Sequence, residues 1–259
     1  MQRIEDLIRE FAGRPEVESI ALGGSRAVNL HDDKSDYDVY IYLNRELNPL
    51  IRKDILSRFC SYMEIDNQYW ENEDDCILFS GPVIELLYRQ LDDFAASLAR
   101  VVDEAQASNG YTTCMWDNLL KSEILYDRAG ALTSLQSKYK IKYPQRLRQN
   151  IIDKNTRLLD GYIPSYFDQI VKASERMDIV SVNHRITEFL ASYFDILFAY
   201  NEVTHPGEKR LIAQAKALCK KLPDHFEEDI NMILRHSYEM DLLVEALVSS
   251  IRNLKRMLH

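Results

Sequence analysis

The stretch from Gly23 to Tyr42, GGSRAVNLHDDKSDYDVYIY, joins the end of one predicted strand to the start of the next, and its reading decides the fold. Ile20, Ala21 and Leu22 run apolar into Gly23 and Gly24. This marks a strand ending in a tight turn, where no β-carbon keeps a ligand from the backbone. Ser25 adds a hydroxyl, and a short helical turn starting there would direct backbone N–H groups toward a phosphate. Residues 30–34 read as polar loop, and Asp36 to Leu43, DYDVYIYL, reads as a second strand from its β-branched and aromatic content. Asp36 and Asp38 stand at i and i+2, the spacing that places side chains on one face of a strand. Two carboxylates side by side repel unless a cation sits between them, and hard oxygen donors suit magnesium carrying substrate phosphates. The stretch therefore predicts a metal–phosphate site.

Upstream, Ile4, Leu7, Ile8 and Phe11 recur at helical spacing among charges, Gly13 and Pro15 end that helix, and VESIAL (residues 17–22) supplies the first strand. Downstream, Pro49 opens a crossover helix with Leu50, Ile51, Ile55, Leu56 and Phe59 as its apolar stripe. Glu71 to Asp75 reads as a loop or hairpin between strands, and CILFSG and VIELLYR give two extended runs on either side of Gly81-Pro82. Glu85 is conspicuous among Val83, Ile84, Leu86 and Leu87, because a buried charge is costly without a partner. From Leu91 onward strand signals stop. A helix is predicted over 91–107, then others near 114–125, 131–139, 144–159, 164–177, 182–201, 208–221, 225–235 and 238–257. The expected architecture is α+β. A small mixed sheet with flanking helices occupies residues 1–108, an all-α helical bundle occupies 109–259, and the active site lies in the cleft between them.

With 259 residues, 46% of them hydrophobic, the chain can fill a sizeable core. A formal charge of −9 argues against nucleic acid or anionic lipid as partner and is compatible with a cationic small molecule. Cys60, Cys76, Cys114 and Cys219 have no paired spacing, so neither a zinc site nor a disulfide framework is signalled. The amphipathic N-terminus is no signal peptide, and no apolar run reaches membrane-spanning length. A soluble cytoplasmic protein is expected.

The order GGS, spacer, Ser35-Asp36-Tyr37-Asp38, then a lone carboxylate at Glu85 on a later strand resembles the nucleotidyltransferase superfamily that includes DNA polymerase beta. It is similar in particular to the branch of small-molecule adenylyltransferases, those acting on aminoglycosides and lincosamides, which carry a helical C-terminal domain. Residues 17–90 carry the resemblance. A second patch, Leu197-Phe-Ala-Tyr-Asn201 leading to Pro206-Gly-Glu-Lys-Arg210, looks like a segment of that helical domain. The resemblance implies that Gly24 and Ser25 hold the triphosphate of ATP with Ser35 beside it, and that Asp36 and Asp38 coordinate two magnesium ions. It makes Glu85 either a third metal ligand or the base for the acceptor hydroxyl, and Lys209 a cation reaching the phosphates. Lys209 also reads as a first-turn helix residue, and Arg26 as a phosphate contact or an exposed ion pair. Trp116-Asp117 and Asp127-Arg128 read as acceptor-cleft residues or as plain structure, and His184, His205 and His236 have no metal-ligand spacing.

The implied reaction is transfer of AMP from ATP to a hydroxyl of a small, cationic, aminoglycoside-like acceptor. Two alternatives stand beside it. One is nucleotidylylation of a macromolecule, a protein or a tRNA, against whose RNA form the absence of a basic stripe counts. The other is a nucleotide-binding regulatory module without turnover.

Overall fold

The structure, a computed structural model, describes residues 2–27, 36–68, 71–79 and 81–259, the side chains of residues 2, 3, 25 and 27 excepted. Contacts divide the chain into two compact units, residues 1–99 with 118–141, and residues 100–117 with 142–259.

The first unit is built on a six-stranded mixed sheet. Its strands are β1 (Val17–Leu22), β2 (Tyr37–Leu43), β3 (Cys60–Asn67), β4 (Asn72–Leu78), β5 (Val83–Gln90) and β6 (Glu123–Asp127), in the order β3-β4-β5-β2-β1-β6. Only the central β2–β5 pair is parallel among the described pairings. One face carries the core. There α1 (Gln2–Ala12) buries Leu7, Ile8 and Phe11, and α3 (Pro49–Leu56) buries Ile55 and Leu56, against Val39, Ile41, Ile84 and Leu86. The i, i+3, i+4, i+7 spacing in α1 makes that stripe. In α3 the Asn48 side chain caps the Leu50 N–H at 2.8 Å, with Pro49 at the first helical position.

Three strands depart from expectation: β4, β3 and β6. β4 runs through the acidic stretch expected to be loop. Its Asp74 points inward, which hides the alternation, and is held there by the Tyr88 hydroxyl at 2.7 Å, the Asp66 N–H at 2.8 Å and the buried Arg52 guanidinium at 3.5 Å. With β4 formed, β3 pairs on its free side. The helix expected over 114–125 stops at Lys121, as α5 (Cys114–Lys121), and β6 follows it, Glu123 opposite Leu22 and Tyr126 opposite Ile20. Pairing with β6 satisfies the N–H and C=O groups along the open side of β1. Next comes α6 (Ala131–Tyr139), while α4 (Leu91–Val102) ends five residues before the expected Ala107.

The second unit is helical: α7 (Gln145–Asp160), α8 (Tyr166–Glu175), α9 (Ile179–Tyr200), α10 (Leu211–Leu218), α11 (Phe226–Arg235) and α12 (Met240–Leu258). The middle of α9 is buried all round from Ala191 to Ala199, with Tyr193 and Phe194 packed on Phe226. The helix expected over 208–221 contracts to α10 because Arg210, at φ +56°, is left-handed and cannot continue a helix backward. Asp195 and His205 are buried in this unit. Asp195 accepts from the Thr112 N–H (3.0 Å), the Thr112 hydroxyl (2.6 Å) and Asn155 (3.2 Å), yet burial outweighs these bonds and pushes its carboxyl up to about 6. His205 lies between Tyr111 and Phe198 and accepts the Gly207 N–H, and burial pushes its imidazole down to about 4. No helix among the described residues is long and apolar enough to cross a membrane.

Candidate active site

β1 ends at Leu22, and the next two residues are pressed against β2. The Gly23 N–H donates to the Asp38 carbonyl at 2.8 Å. A β-carbon on Gly23 would overlap the Tyr40 ring, and one on Gly24, which sits at φ +62°, would overlap the Asp38 carboxylate. Backbone is thereby laid directly on a carboxylate, an approach no other residue type permits. A single helical turn, α2 (Gly24–Ala27), begins there, one residue before the predicted Ser25 start. Ser25 contributes its backbone to this turn, and its hydroxyl lies outside the described residues, as does the whole of Ser35.

Along β2, Val39, Ile41 and Leu43 face the core, so Asp38, Tyr40 and Tyr42 face the opposite side. Along β5, Ile84, Leu86 and Tyr88 face the core, leaving Glu85, Leu87 and Arg89 on that same opposite side. In the parallel register Asp38 is the direct partner of Glu85. The fold therefore brings together two of the predicted carboxylates across adjacent strands, roughly 4.8 Å apart in backbone spacing. Asp36 is exposed and lies one residue before β2, at the mouth of the strand. Its carbonyl accepts from Arg26 Nε at 3.1 Å, and the Arg26 guanidinium lies 3.8 Å from the Tyr37 ring centre. Lys209 is exposed in a turn two residues before α10, in the second unit, and not in a helix.

Three further carboxylates on this face escape sequence reasoning. Antiparallel register places Asp75 opposite Glu85 and Glu64 opposite Asp75, so Asp38, Glu85, Asp75 and Glu64 form one row across β2, β5, β4 and β3. Asn67 Nδ2 donates to Asp75 at 2.7 Å and the Tyr62 hydroxyl to Glu64 at 2.7 Å, and neither acid has a cationic partner among the described residues. Glu73, next to Asp75 on the same face, is 8% exposed, and its carboxylate has no hydrogen bond or ion pair among the described residues. Burial, then Asp75 and Glu71, raise its carboxyl above the usual range. Among the described residues no three acidic, histidine or cysteine side chains converge closely enough to hold a metal by themselves.

Behind the row, Arg89 organises the floor. Its guanidinium forms a two-pronged ion pair with Glu71, both bonds at 2.7 Å, donates to Asn118 Oδ1 at 3.2 Å, and lies 4.2 Å from the Tyr40 ring centre. Burial alone would lower its proton affinity, but Glu71 holds it above the ordinary value. Asn118 in turn donates to the Tyr40 hydroxyl at 3.0 Å. Tyr40, which fills the space under Gly23, is therefore fixed from both its edge and its face. Burial raises the Tyr40 phenol and pushes Tyr42 up to about 12, so both stay protonated.

The remaining sequence candidates make the following contacts. Trp116 is buried against Tyr143, Asp117 accepts from the Thr204 hydroxyl, Asp127 accepts the Thr133 N–H at the start of α6, and Arg128 bonds the carbonyls of Ala12, Arg14 and Val17.

Three of the solved structures that the chain resembles are the following. A nucleotidyltransferase-like protein from Exiguobacterium sibiricum is 12% identical at a TM-score of 0.49, over 98% of this chain and 75% of that one. An aminoglycoside 6-adenyltransferase from Bacillus subtilis is 11% identical at 0.34, over 97% and 87%. A spectinomycin adenyltransferase from Enterococcus faecialis, solved with ATP and spectinomycin, is 11% identical at 0.33, over 95% and 97%. No curated protein matches the chain. Residues 2–105, which hold the glycine turn, β2 and β5, match the family model described as a nucleotidyltransferase domain. The chain thus carries a nucleotidyltransferase domain in its N-terminal part.

Proposed function

We propose that the protein transfers a nucleoside monophosphate, AMP from ATP, to a hydroxyl group of a small cationic acceptor. The observation that carries this reading is Asp38 in direct register with Glu85, with Gly24 backbone packed onto the Asp38 carboxylate. The donor set fits magnesium, which is commonly held by one or two carboxylates together with substrate phosphates and so needs no closed protein cage. Asp36 and Asp38 would hold it, with Glu85 alongside, and when bound it supplies neutralisation of the phosphate charge.

The chain's own groups have distinct tasks. The Gly23-Gly24 turn gives the triphosphate an unobstructed backbone, helped by Ser25 and Ser35. Glu85 takes the proton of the acceptor hydroxyl as that oxygen bonds to the α-phosphorus and the bond to pyrophosphate breaks. Lys209 is assigned to the departing phosphates, on the family resemblance. A cationic acceptor is supported by Asp75, Glu64 and Glu73 on the same face as Glu85, none paired with a cation among the described residues. It is also supported by the charge of −9, nearly all of it carried by residues of the first unit.

The test is transfer of label from α-labelled ATP, with magnesium, to a panel of aminoglycosides, aminocyclitols, lincosamides and cellular metabolites. Label should move to an amine-bearing acceptor, and Asp36→Asn and Asp38→Asn should abolish it with the melting curve unchanged. Normal transfer by both variants would sink the reading.

A further inference from the structure

We infer that the face of α12 toward its C-terminal end is a second ligand site, specific for a small anionic amphiphile: a phosphate monoester with an apolar body. It lies wholly in the helical unit and is independent of the nucleotidyl-transfer reading. A pocket of about 570 Å³ opens there, within the range that holds small ligands. Its floor is apolar, made by Phe167 of α8 with Val248 and Ile251 of α12. Val248 is left 43% exposed. Its lip is cationic, because Arg252, Lys255 and Arg256 follow Ile251 at helical spacing on the same side of α12.

Lys255 is already committed, bonded to Asp160 Oδ2 of α7 at 2.6 Å, which neutralises the acid in the pocket wall. Arg252 and Arg256 are not. Both are exposed, one turn apart, and neither has a hydrogen bond or ion pair among the described residues. Like charges at this spacing destabilise a helix. Arg256 lies in the last turn and complements the carbonyl end of the helix dipole, but Arg252 stands above that turn, where the dipole no longer reaches. An anion bridging the two guanidiniums turns their repulsion into attraction, and the guanidinium fork matches phosphate oxygens two at a time. The adjoining apolar floor then asks for an ester group of matching character, buried against Val248 and Phe167.

Isothermal titration of the full chain with hexyl phosphate, inorganic phosphate and hexylammonium tests the site. Hexyl phosphate should saturate at least tenfold more tightly than inorganic phosphate, and hexylammonium should not bind. Arg252→Glu with Arg256→Glu should lose at least tenfold, and so should Val248→Asp. All three side chains are exposed, so the melting temperature reports directly whether the fold survives. Absence of saturable hexyl phosphate binding, or binding unchanged in both variants, overturns the inference. So does co-sedimentation with phosphatidic acid vesicles without binding of the soluble ester, which would make the lip a membrane contact.

Discussion

Replacing Gly24 by alanine separates the chemical role of the glycine turn from its role in folding. The backbone at Gly24 has φ +62°, and an added β-carbon would overlap the Asp38 carboxylate. Gly130 offers a matched control, since it has φ +71° in the same unit but nothing within 4 Å of an added β-carbon. Both alanine variants carry the strain of a left-handed residue, about 1–2 kcal/mol. That corresponds to a fall in melting temperature of roughly 2–8 °C for a chain of this size. Only Gly24→Ala also displaces a carboxylate, because the end of a short side chain moves more readily than the strand that carries it. A misplacement on the order of 1 Å costs about a hundredfold in rate where geometry governs the step. Matched thermal melts and rates of ATP-dependent label transfer make the comparison. The two variants should melt within about 2 °C of each other, while Gly24→Ala loses about two orders of magnitude in rate that Gly130→Ala keeps. If Gly24→Ala transfers label as well as Gly130→Ala, Asp38 is not the group this turn is built around.

The floor and the helical unit give two more expectations. Arg89→Met should destabilise the fold by about 3 kcal/mol in urea denaturation, since it leaves Glu71 without its two-pronged partner in a largely buried position. Adding Glu71→Gln should recover part of that loss, whereas additive costs would show that the pair is not coupled. The buried Asp195, raised to about 6, favours folding as pH falls from there toward about 4, because the folded state then holds the extra proton. His205, lowered to about 4, opposes it between about 6.5 and 4, where the unfolded state holds the extra proton. Each amounts to about 3 kcal/mol, so the two nearly offset. Asp195→Asn should therefore steepen the acid loss of stability and His205→Gln should reverse it, and wild-type pH profiles for both variants would refute the assignment.

Residues that act through near neighbours in sequence were legible, and those that act across strands were not. Gly23, Gly24 and Asp38 belong to one turn and one strand, so their types and spacing announced a site before any pairing was known. Glu85 stood out for a different reason: a carboxylate in an apolar run has to face away from the core, and β5 turns it toward Asp38. Asp75, Glu64 and Glu73 sent no such signal. Their stretch looked like solvated loop because Asp74 points inward, and nothing in the sequence says that Arg52, some twenty residues earlier, compensates it. Without β4 there is no β3, and without both there is no row. Lys209 was read as helical because its neighbours favour helix, and the left-handed Arg210 overrules them. On the proposed function, the acceptor side of the site is written in strand register and not in motif. If that reading holds, chains sharing the GGS and DYD signatures but differing in acceptor should differ at the residues opposite Glu85 and Asp75.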